Sequence, residues 1–111
     1  MGIDVRWIDE SGEVKQEVPD AHDPAGGQGV LSTFMVRSDW PGLPNTVCLR
    51  FVDPYGDAVF NRYQLPILIE ELRAALRDER DRITREHLER LIALAVQATG
   101  EIHTYVKFIG D

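Results

Sequence analysis

The chain has 111 residues, 43% of them hydrophobic and 28% charged, and its 19 acidic against 12 basic side chains give a net charge of −7. That length accommodates one domain with a core of its own, and the composition is that of a globular chain rather than a disordered one. The negative balance removes any general electrostatic case for nucleic-acid binding, which depends on cations meeting phosphates, and it favours basic partners.

Cys48 is the only cysteine, which excludes an internal disulfide and a cysteine-rich zinc site and fits a reducing compartment. The first ten residues, MGIDVRWIDE, carry acids and no apolar run, unlike a secretory leader. No window approaches the roughly 18 apolar residues of a membrane span. The expectation is a cytoplasmic, bacterial-type protein with no membrane partner.

Ile3, Val5 and Trp7 alternate with Asp4 and Arg6, the period of a half-buried strand. Gly12 lies in a short turn, and Val14, Gln16 and Val18 alternate again, so residues 2–18 read as a β-hairpin that Pro19 closes. Residues 19–29, PDAHDPAGGQG, have loop composition. Their glycines lack the spacing of a phosphate-binding loop, and His22-Asp23 could orient a general base or ligate a metal, although a lone histidine in a loop is more often simply solvated.

Val30 to Arg37 mixes β-branched and aromatic residues on both faces and reads as a buried strand. A second loop follows, in which Trp40 is either a lid on the core or a binding anchor. Thr46 to Val52 alternates and reads as another strand, with Cys48 as a small hydrophobe within it.

Asp53-Pro54-Tyr55-Gly56 carries the residue preferences of a type I turn, leading to a short strand at Ala58–Phe60. Asp53 and Asp57 lack the ligand spacing of a calcium loop. Asn61, Arg62, Tyr63 and Gln64 then place four hydrogen-bonding side chains between a strand and a helix. They are either backbone caps or a specific contact site.

Pro66 suits a first helical turn, and Leu65, Leu68, Ile69, Leu72 and Leu76 recur at helical spacing. One helix over residues 66–99 would be about 50 Å long, too long for a domain of this size, so two helices are expected, with Thr84 as the second N-cap. Leu88, Leu91, Ile92, Ala95 and Ala98 form the second stripe, Gly100 ends it, and His87 reads as exposed. Ile102 to Ile109 alternates as a terminal strand.

The order β-β-β-β-β-α-α-β implies a single α+β domain over residues 1–111. Its mostly antiparallel sheet would have five to six strands, with two helices packed on one face. With the helices on the Val5, Val47, Phe51 and Val106 side, the opposite face presents Arg6, Ile8, Arg50, Val52, His103, Tyr105 and Lys107. The candidate ligand or partner residues are therefore Arg6, Arg50, Asn61, Arg62, Tyr63, His103, Tyr105 and Lys107. No catalytic constellation, metal site or cofactor motif is evident, and no stretch spells a family signature.

The leading functional reading is a non-catalytic protein-binding module, neutralising a basic partner such as a toxin. The alternatives are a homodimer holding a small anionic ligand on the open sheet face, and an enzyme moving protons with His103, Tyr105 and a carboxylate such as Asp53.

Overall fold

A computed structural model describes residues 2–21, 29–37 and 46–110. His22, Asp23, the glycines at 26 and 27, Gln28 and Trp40 lie outside the described residues. In chain order the elements are strands β1 (Ile3–Asp9) and β2 (Val14–Val18), helix α1 (Val30–Arg37), a 3-10 turn (Leu49–Phe51), strand β3 (Asp57–Asn61), helices α2 (Leu65–Asp78) and α3 (Arg82–Ala98), and strand β4 (Thr104–Gly110).

The strands form one four-stranded antiparallel sheet in the order β2-β1-β4-β3. The α+β class holds, but the expected five to six strands become four among the described residues. Strand alternation sets the two faces. Val5 stands opposite both Val18 and Phe108, and Val106 stands between Trp7 and Phe60. These side chains point at the helices, where the rings of Phe60 and Phe108 meet edge to face at 5.7 Å. The other face carries Arg6 opposite Lys107 and Ile8 opposite Tyr105.

The missing strands are residues 30–37 and 46–52, and in both cases a distant carboxylate decides. Val30–Arg37 is a helix, with Leu31, Phe34 and Met35 buried at helical spacing. Its start has no local side-chain cap, since Gly29 stands there. Asp20 supplies one from across the fold, its Oδ1 accepting from Leu31 N at 2.9 Å. A short apolar run does not distinguish strand from buried helix by its own period. Residues 47–49 are likewise drawn into a tight turn by Glu71 of α2, which accepts from the backbone N–H of Val47, Cys48 (3.1 Å) and Leu49 (2.8 Å). Val47 and Phe51, expected in the core, are therefore exposed, and Val52, expected outside, is fully buried.

The helical region is divided as expected, but at residues 79–81. Asp81, not Thr84, caps α3: its Oδ2 accepts from Thr84 N at 3.0 Å and from Thr84 Oγ1 at 2.8 Å. Arg85 fastens the corner by donating to the carbonyls of Leu76 and Glu79, both at 2.7 Å. Leu65, Leu68 and Leu72 of α2 and Leu88, Leu91, Leu94 and Ala98 of α3 join the sheet's inner face in one core. No helix among the described residues is long and apolar enough to cross a membrane.

Candidate functional site

Two segments distant in sequence meet where β3 ends and β4 begins, because the strand register sets Asn61 opposite Tyr105. One wall is the turn into α2. Asn61 Oδ1 accepts from Tyr63 N at 2.9 Å and Gln64 N at 3.1 Å, and Gln64 Oε1 accepts from Asn61 N at 2.9 Å. This reciprocal bonding holds the turn and leaves Arg62 and Tyr63 outside it. The Arg62 guanidinium carbon lies 5.4 Å from the Tyr63 ring centre, a cation–π contact, and Tyr63 is 78% exposed.

The second wall is the connection from α3 into β4. His103 holds a positive φ of 57°, the left-handed region that a non-glycine residue occupies only at a cost. Its Nδ1 lies 3.4 Å from Glu10 Oε2. Thr104 is buried, its hydroxyl accepting from Trp7 Nε1 and donating to the Ile8 carbonyl at 3.3 Å. This anchors the start of β4 to β1. Between the walls lies a cleft of about 320 Å³ lined by Asn61, Arg62, Tyr63, His103, Thr104 and Tyr105.

Of the residues singled out from the sequence, Asn61, Arg62, Tyr63, His103 and Tyr105 thus share one cleft. The rest are elsewhere. Arg6 and Lys107 sit across from each other on the helix-free sheet face, Arg6 paired with Glu17 and Lys107 with Asp57 at 3.6 Å. Arg50 belongs to the 3-10 turn, its guanidinium 5.8 Å from the Phe51 ring centre, and is no part of the sheet.

The arrangement needed for proton transfer is not assembled around Asp53. Asp53 caps its own turn, accepting from Tyr55 N at 2.8 Å, and its backbone lies against Gly110, at the far end of β4 from His103. Six residues of strand make that separation about 20 Å. Cys48 is buried with its thiol directed at the Gln64 carbonyl, 3.7 Å away. Burial, reinforced by the Glu71 carboxylate, pushes that thiol up to about 11, so it is protonated and unreactive at neutral pH. No group of three or more metal-ligating side chains forms among the described residues.

The sequence reading missed a buried polar node. His87, expected on the surface, is 1% exposed, with Nε2 3.6 Å from Asp20 Oδ1. Neither ring nitrogen has a hydrogen-bond partner among the described residues. Burial lowers its pKa, and Arg90 adds to that, against the opposing pull of Asp20. One signal was legible: Thr84, His87, Leu88 and Leu91 share one helical stripe.

No protein-family model matches the chain, and no curated protein or solved structure matches it either.

Proposed function

We propose that the protein is a non-catalytic protein-binding module that engages its partner through the Asn61–Tyr105 cleft. The observation that supports this reading is the convergence of Arg62, Tyr63, His103 and Tyr105 on one concave, partly exposed site. Tyrosine and arginine are the side chains most enriched in binding hot spots. The two walls are held by backbone caps and strand pairing, so little order remains to be gained on binding. The net charge of −7 favours a basic partner, such as a toxin, through long-range steering. Three of its carboxylates, Asp20, Glu71 and Asp81, are engaged as backbone caps.

The test is capture of partners by the immobilised full chain from a lysate of the cells that make it, beside Tyr63→Ala and Arg62→Ala. A partner retained by the wild type at low salt, weakened by salt and lost with either variant supports the module. Equal retention by all three chains overturns the cleft as its contact site.

A second reading, self-association around a ligand, draws on the helix-free face. There Val14, Ile8 and Tyr105 fall in one row across the sheet, and Val59 stands half exposed beside Lys107. The solution mass by light scattering at two salt concentrations decides it. A salt-resistant dimer supports that face as the seam, and a monomer at both concentrations removes it.

A further inference from the structure

We infer that the cleft recognises a carboxylate, presented by an aspartate or glutamate side chain of the protein partner; the inference rests on the binding-module reading above. The cleft is defined by which of its polar groups are still available. Asn61 has already committed its carbonyl oxygen to the N–H groups of Tyr63 and Gln64, which leaves the amide NH2 as its free group. Thr104 is occupied on both sides by Trp7 and Ile8. Arg62 brings a guanidinium that lies against the ring of Tyr63, and no ion pair engages it among the described residues. His103 uses Nδ1 toward Glu10, Nε2 has no partner among the described residues, and the two tyrosines bring hydroxyls.

Among the described residues lining the cleft there is no carboxylate; Glu10 stands beside it, against His103 Nδ1. In a chain with a net charge of −7, a concave site whose described lining carries donors and a cation, with the neighbouring acid Glu10 turned to His103 Nδ1, departs locally from the overall sign. Its outstanding hydrogen-bonding capacity is mostly donating: a guanidinium fork, an amide NH2, and hydroxyls that serve either way. A planar carboxylate matches that fork in two parallel bonds, and the Tyr63 ring under the guanidinium holds the fork in place. The overall field and the local site then act on different parts of one partner. The field attracts a basic surface, and the cleft selects an acidic side chain within it.

The test uses the full chain labelled with 15N and titrated with N-acetyl-glutamate N-methylamide, with the glutamine analogue as control. The expected result is a set of amide shifts at residues 61–63 and 103–105 that saturates in the millimolar range with the glutamate probe. The glutamine probe is expected to bind about tenfold or more weakly, in line with a charge-assisted contact. In Arg62→Gln the response is lost while the rest of the spectrum is unchanged. No saturating shift, an equal response to both probes, or a response centred elsewhere overturns the inference.

The two readings fail separately. A cleft that ignores the probe while Tyr63→Ala still abolishes partner capture overturns the carboxylate and spares the module. A probe that saturates the cleft while Tyr63→Ala leaves capture unchanged supports carboxylate recognition and overturns the cleft as the partner's contact site.

Discussion

His87 of α3 and Asp20, which follows β2, face each other inside the protein with Nε2 and Oδ1 3.6 Å apart and both side chains 1% exposed. The imidazole is held neutral there by desolvation. Because its folded pKa lies below the ordinary 6.5, the unfolded chain takes up the proton first as pH falls. The contribution of His87 to stability is thus intact above the unfolded value and declines as pH drops through 6.5 toward the folded pKa. His87→Gln removes this titration and offers an NH2 to Asp20. In urea denaturation at pH 7.5, 6 and 5 the wild type is expected to lose more stability on acidification than the variant; parallel losses refute the assignment.

Asp20 itself joins three parts of the fold. It accepts from Ile3 N at 2.8 Å, Leu31 N at 2.9 Å and Ser32 N at 3.4 Å, linking the start of β1 to the start of α1. Asp20→Ala leaves these buried donors without their acceptor and is expected to cost about 3–5 kcal/mol, from roughly 1–3 kcal/mol per stranded group. Amide exchange at Leu31 and Ser32 should accelerate beyond what the global loss explains. Gly29→Ala is expected to act in the same place, because a Cβ there would lie 2.3 Å from Asp20 Oδ2 and 2.9 Å from Gly2 Cα.

Glu71 and Cys48 are coupled through the 3-10 turn. The carboxylate both caps the turn and raises the thiol's pKa, second to burial. Native wild-type protein should react slowly with a thiol reagent at pH 8 and completely once unfolded. Glu71→Gln lowers the thiol pKa and loosens the cap, so labelling of the native state should accelerate. An unchanged rate would show that burial alone protects the sulfur.

Gly110 closes the sheet against the Asp53 turn, donating from its N–H to the Gly56 carbonyl at 2.7 Å. A Cβ at this position would come within 2.3 Å of the Asp53 carbonyl oxygen and 2.5 Å of the Pro54 carbonyl carbon. Both neighbours are backbone and have no rotamer with which to withdraw. Gly110→Ala is therefore expected to destabilise by about 2 kcal/mol or more, from overpacking, read as a lower denaturation midpoint.

Arg85 tests the corner between the long helices. Its guanidinium donates to the Leu76 and Glu79 carbonyls at the C-terminal end of α2, where Leu76 O also accepts from Glu79 N at 3.3 Å. Arg85→Met keeps the aliphatic stem and removes both bonds, for an expected loss of about 1.5–3 kcal/mol. Thermal denaturation followed by circular dichroism measures it, and a neutral result would make the corner independent of this clamp.

The elements legible in the sequence were those whose physics is local. The N-terminal hairpin, the Asp53–Gly56 turn, the stripes of α2 and α3 and the alternation of β4 each follow from spacings of a few residues. Tertiary structure decided wherever the deciding partner is remote. Leu31 and Ser32 become the start of a helix because Asp20 offers them a carboxylate, and Val47 to Leu49 curl because Glu71 does. His87 is interior because its stripe faces Asp20, and the cleft exists because strand register sets Asn61 beside Tyr105. A backbone N–H must find an acceptor once it is buried, and nothing in its own neighbourhood of sequence names which distant side chain will supply it.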